Sequence, residues 1–283
     1  MYVTAISALS GSQPARKGVV MCGKVSFMLR RQDNVRHRPR YSWMLLAAFI
    51  LLLAPIASLA SVYYVDSVRP DDSGNGLSWP NAKQTIQGAI TASAFGDTIL
   101  VKYGVYNITT SIVIDTTRCL TSDDGTHDSW DSAQPDSSLC VIAPTVNCRI
   151  FTITGAMVTS GTYLRGFKIT NGNAVSESPG SRYGGGIYIA AGADPVIERC
   201  WVVSNRATSS STGYGGGIAC VNSGTEPVIH NNLIEDNLGS SAWYGYGGAI
   251  YCSGLTMCEI SNNTITANYG STAQIGNGGR IHG

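Results

Sequence analysis

The stretch YGGGIYIAAGADPVIERCWVVSN, Tyr183 to Asn205, returns as YGGGIACVNSGTEPVIHNNLIEDN from Tyr214 and again as YGGAIYCSGLTMCEISNNTITAN from Tyr246. Aligning the copies superposes Ile187, Ile218, Ile250 and Ile281 at intervals of 31, 32 and 31 residues. Ile197, Ile229 and Ile260 form a second column, and Asn205, Asn237 and Asn268 a third, with Val202, Ile234 and Ile265 in step. A repeat of this length specifies a stacked architecture, built from either helical pairs or strand coils. The copies are rich in Gly, Ser, Thr, Asn, Val and Ile, with short alternating runs and no apolar stripe at helical spacing, so the coils are strands joined by turns.

Alternation along a strand points Ile187 and Ile189 inward and Tyr188 outward. The following coils place Ile218 with Cys220, and Ile250 with Cys252, in the same interior columns. Cys200, Asn232 and Asn263 fall where the chain bends between two strands, and Asn side chains stacked there can hydrogen-bond from coil to coil. Gly184 to Gly186 and Gly215 to Gly217 read as backbone corners, because glycine accepts positive φ at little cost. A phosphate-binding loop is excluded, since neither a helix nor a P-loop lysine follows them.

These coils resemble the right-handed parallel β-helix repeats of the pectin lyase-like superfamily. Tyr63 to Asn107, YYVDSVRPDDSGNGLSWPNAKQTIQGAITASAFGDTILVKYGVYN, looks like the N-terminal segment of exported β-helix proteins, where it supplies a first strand, a short capping helix and a first coil. The residues agree: Ile86, Ala89 and Ile90 have helical spacing, and Gly96-Asp97 turns the chain into a strand from Thr98. Leu164 to Ala174, LRGFKITNGNA, reads as a further coil. The expected fold is all-β: a right-handed, single-stranded parallel β-helix, a solenoid with a short N-terminal capping helix, over residues 61–283. The chain ends on GGRIHG, the start of another coil, so the sequence reads as a longer solenoid cut short.

Residues 1–60 read as a signal peptide with a long basic n-region. They carry eight Lys or Arg against the single acid Asp33, then an apolar run from Met44 to Leu53, with Ser58 and Ala60 suited to a cleavage site. An uncleaved N-terminal anchor, the only membrane association expected, is the competing reading. The remainder holds eleven Lys or Arg and seventeen Asp or Glu, near −6, which excludes nucleic acid as a partner. The protein is expected to be secreted or held at the cell surface.

Seven cysteines follow residue 60, and export permits disulfides. Zinc is disfavoured because there is no CxxC and the closest pairs are six and eight residues apart. Cys220 and Cys252 are expected as reduced core thiols, and Cys119 with Cys140 or Cys148 as the better candidate bridge.

The resemblance implies an activity on polysaccharides, in which lyases pair acid-bound calcium with a Lys or Arg base and hydrolases use clustered Asp. The outward columns offer little of this: Tyr188, Ala219 and Tyr251 in one, Glu198, His230 and Ser261 in another. Tyr188, Tyr251, Trp243, Tyr244 and His230 are the candidate carbohydrate contacts. The loop SDDGTHDSWDSAQPD gathers Asp123, Asp124, Asp128 and Asp131 with His127 and Trp130; Asp123, Asp128 and Asp131 are the candidate Ca²⁺ ligands, although their spacing is not that of an EF-hand. Two functions stay open: a carbohydrate-active domain that binds or processes polysaccharide, and a surface adhesin or structural passenger, whose repeats the GGGI and GGAI turns also resemble.

Overall fold

A computed structural model describes residues 60–129, 135–175, 182–254, 256–273, 276–279 and 281–282. The chain divides into two units, Met1–Ala57 and Ser58–Gly283, and every described residue belongs to the second. The signal-peptide reading therefore lies outside the described residues, Ala60 excepted.

The second unit is a parallel β-solenoid with three long faces. The first sheet stacks Val62–Val65, Thr98–Lys102, Cys119–Asp123, Tyr163–Arg165, Val196–Glu198, Val228–His230 and Glu259–Ser261. The second stacks Gly104–Ile108, Cys140–Pro144, Lys168–Thr170, Trp201–Val203, Leu233–Glu235 and Thr264–Thr266, and the third Ile112–Ile114, Phe151–Thr154, Ile187–Ala190, Ile218–Val221, Ile250–Ser253 and Ile281–His282. In the last coils two narrow three-stranded ladders link the second face back to the third. The capping helix is present as Ile86–Ala92, with the Thr85 hydroxyl accepting from the Gly88 amide and with Ile86, Ala89 and Ile90 buried on the core.

Register follows the aligned columns. Ile187 pairs with Ile218, Ile218 with Ile250 and Ile250 with Ile281, and Ile197, Ile229 and Ile260 stack on the first sheet. Each coil thereby drops identical aliphatic groups onto the last, so the core is continuous through the stack.

The corners are held by two asparagine ladders. In the first, the amides of Cys200 and Asn232 each donate at 2.9 Å to the Oδ1 of Asn232 and Asn263 respectively. In the second, Asn205 and Asn237 donate to Asn237 and Asn268 at 3.0 and 2.9 Å. The residue before each member of the first ladder is left-handed, Arg199, Asn231 and Asn262, which shows how firmly the side-chain ladder dictates the backbone. The glycine triplets divide their labour. Gly184 has φ +58°, whereas Gly185 is required because a Cβ there would run into the Arg206 carbonyl.

Candidate functional site

The outward face of the third sheet is not free surface. Tyr188 is 5 % exposed, under a layer contributed by Tyr183, Tyr251 and their neighbours, and the Arg149 guanidinium lies 4.4 Å from its ring centre. Arg149, itself 1 % exposed, donates to the carbonyls of Tyr183 and Gly184 at 2.7 and 3.2 Å. Tyr188 therefore points outward, as alternation requires, yet it is buried by side chains from other segments and cannot contact a polysaccharide.

The covering layer is a stack of rings. Tyr183 lies 4.7 Å from Tyr214, and Tyr214 5.4 Å from Tyr246, at interplanar angles of 14° and 10°. Tyr251 is tilted against Tyr214 at 5.0 Å. The stack arises because each tyrosine opens its coil one residue before the left-handed glycine, in register with the tyrosine of the next coil. On the following coil the position is Asn277. Burial pushes the Tyr183 and Tyr214 hydroxyls above the ordinary tyrosine range, with neighbouring tyrosines adding to the shift.

Trp243 and Tyr244 occupy the turn that leads into Tyr246, and both are exposed, at 54 % and 40 %. Their backbone is pinned: the Trp243 amide donates to Ser240 Oγ at 3.0 Å, the Trp243 carbonyl accepts from Ser271 Oγ at 2.5 Å, and the Tyr244 carbonyl accepts from the Gly213 amide. Two large rings are thus held in solvent on a fixed turn, which limits the entropy lost when a ligand docks.

On the first sheet, Arg165, Glu198, His230 and Ser261 stack outward. Glu198 lies 3.3 Å from His230 Nε2 and 4.0 Å from Arg165 Nε. Asn231 Nδ2 donates to His230 Nδ1 at 2.7 Å, so Nε2 carries the proton directed at Glu198. Both imidazole nitrogens have protein partners, so a substrate proton would have to displace the Asn231 contact to reach the ring. A stacked pair of acids also occurs in the turn before this sheet: the Glu226 amide donates to Asp194 Oδ1 at 2.7 Å.

The acidic loop brings together Asp123, Asp124 and His127. Asp123 is buried, its Oδ1 2.8 Å from His127 Nδ1 and its Oδ2 accepting from the Gly125 amide at 2.7 Å. Its oxygens organise the turn. Asp128 is exposed and is not one of that group, and Asp131 and Trp130 lie outside the described residues. A cleft of about 470 Å³ beside the capping helix, lined by Gln84, Gln87, Asn107 and Thr109 among others, carries no charged side chain.

Spacing in the sequence concealed a thiol cluster. Cys220, Cys252 and Cys258 have their sulfur atoms within 4.8 Å of one another, with Cys252 and Cys258 Sγ 2.9 Å apart. All seven described cysteines are unbridged. Cys119, Cys140 and Cys148 are all unbridged, and Cys119 and Cys140 stand in different sheets, donating to the carbonyls of Gly161 and Lys102, so neither expected bridge, Cys119 with Cys140 or with Cys148, is formed. The legible signal for the cluster was the coil repeat, which puts Cys220 directly against Cys252.

Residues 145–282 match the family model described as a right handed beta helix region. No curated protein and no solved structure matches the chain.

Proposed function

The chain is a right-handed parallel β-helix repeat protein, and on that premise we propose that it is an exported polysaccharide-binding domain in which Trp243 and Tyr244 supply the sugar-stacking rings. The observation that carries this reading is the pairing of two adjacent, solvent-facing aromatic side chains with a turn anchored by Ser240 and Ser271. A sugar ring stacks its apolar face on such a platform while its hydroxyls stay in water. Binding without cleavage fits the engaged state of His230 and Glu198. It requires neither Ca²⁺ nor any other cofactor.

Affinity electrophoresis of the protein through gels containing neutral or uronate polysaccharides tests it. Retardation by at least one polysaccharide, lost in the Trp243→Ala/Tyr244→Ala double variant, is the expected result. Retardation unchanged in that variant, or none with any polysaccharide, would overturn it. The second reading, a surface adhesin or structural passenger, is favoured by the stack Tyr183, Tyr214 and Tyr246, in which the middle ring is covered on both faces by its neighbours.

A further inference from the structure

Along the third sheet one interior column reads Ile114, Ile153, Ile189, Cys220, Cys252. The aliphatic column becomes a thiol column on two successive coils. A second change coincides with it. Register on the first sheet places Cys258 at the coil position held by Pro195 and Pro227, immediately before Val196 and Val228. Cysteine thus replaces an apolar residue at three positions, and those three converge on one point. Two backbone bonds bracket the last of them, Met257 amide to Thr225 carbonyl at 3.2 Å and Glu259 amide to Pro227 carbonyl at 3.0 Å, so the main chain itself presents Cys258 to the pair.

We infer that Cys220, Cys252 and Cys258 form a binding site for a single thiophilic d¹⁰ metal ion, Zn²⁺ or Cu⁺. Three thiolates around one such ion at about 2.3 Å place their sulfurs roughly 4 Å apart. All three lie within 4.8 Å of one another, and the Cys252 and Cys258 sulfurs, 2.9 Å apart without an ion, would spread by about 1 Å to admit it. Sulfur-only donors select soft ions over Ca²⁺ and Mg²⁺. Cys220 is fully buried, while Cys252 and Cys258 are partly exposed, which leaves an approach for the ion and a place for a water as a fourth ligand of Zn²⁺. A disulfide between Cys252 and Cys258 would use two of the sulfurs and leave Cys220 as a bystander. A metal ion accounts for all three. In-register neighbours on parallel strands have side chains lying side by side, which suits two ligands to one ion better than a bridge between Cys220 and Cys252.

The test uses the full chain, reduced with a phosphine under anaerobic conditions and titrated separately with Zn²⁺ and Cu⁺ against a chromophoric chelator of each. One ion per chain is expected in at least one arm, with X-ray absorption showing sulfur neighbours at about 2.3 Å. Cys252→Ser and Cys258→Ser should each weaken binding by roughly 100-fold or more, since each removes one of three bonds to the ion. Cys200→Ser, at the other corner of the coil, should leave it unchanged. Should the buried Cys220→Ser variant fail to fold, Cys258→Ser, in the partly exposed turn, carries the test, with circular dichroism as the check on folding. No stoichiometric binding of either ion would overturn the inference. So would binding indifferent to the Cys252 and Cys258 substitutions, or a Cys252–Cys258 disulfide in protein isolated from metal-replete cells.

Discussion

The amide of Asn205 donates to the Oδ1 of Asn237 one coil further on, at 3.0 Å, while Asn237 Nδ2 returns a bond to the Val202 carbonyl at 2.8 Å. One buried side chain therefore satisfies backbone groups on the coil before it. Asn237→Ala leaves the buried Asn205 amide without its partner and removes a bond to the Val202 carbonyl, and is expected to destabilise the solenoid by roughly 2 kcal/mol. Urea unfolding with the slope held in common measures it; a loss below about 0.5 kcal/mol, the range of ordinary surface changes, would show that water replaces the ladder.

Tyr188 and Trp243 should separate stability from binding. Tyr188→Ala opens a cavity beneath Arg149 and the tyrosine layer and should cost about 3–5 kcal/mol, as large aromatic truncations do. Trp243→Ala removes an exposed ring and should shift stability by no more than about 0.5 kcal/mol. The thermal midpoints of the two variants check this, and a larger effect at Trp243 would mean that its ring is packed in the folded state.

The same residues show what the sequence makes legible. The isoleucine columns could be read because stacking pairs residues one repeat apart, and the repeat is regular. Tyr188 could be assigned a direction but not an environment: alternation fixes which side of the sheet a residue leaves, whereas its cover comes from Arg149 on the previous coil and from Tyr183 before the glycine corner. Cys258 escaped for the converse reason. Its spacing from Cys252 matches no familiar ligand motif, and its neighbourhood with Cys220 exists only once Met257 and Glu259 are bound to the preceding coil.

The tyrosine stack makes stability fall at alkaline pH. Folding raises the Tyr183 and Tyr214 pKa values chiefly through burial, so the folded state holds these protons more tightly than the unfolded chain. Their contribution is complete below the unfolded tyrosine value of about 10 and is lost as pH rises through the higher folded values. The thermal midpoint should therefore drop more steeply above about pH 10 in the parent than in Tyr214→Phe, which keeps the ring and has no proton to lose. Equal slopes would show that these hydroxyls ionise as freely in the fold as out of it.

Glycosidic bonds should remain intact in the presence of this protein. Hydrolysis needs two carboxyl groups about 5 to 9.5 Å apart, one on each side of the bond. On the outward side of the first sheet the acids are Asp123, Glu198 and Glu259; Glu198 is two coils and two residues from each of the others, about 12 Å at ordinary sheet spacings, and Asp123 is buried against His127. Asp194 and Glu226 are closer, but Asp194 has its Oδ1 engaged by a backbone amide and Glu226 is exposed, the arrangement of a turn brace. Elimination from a uronate needs a free base, and the imidazole of His230 has Nδ1 bound by Asn231 and Nε2 turned to Glu198. Incubation with polygalacturonate, pectin and alginate, with and without Ca²⁺, is expected to release neither unsaturated nor reducing ends. Turnover abolished by His230→Ala would mean that the Glu198 contact opens on binding substrate, and turnover abolished by Glu226→Gln would move the chemistry to the turn before the first sheet.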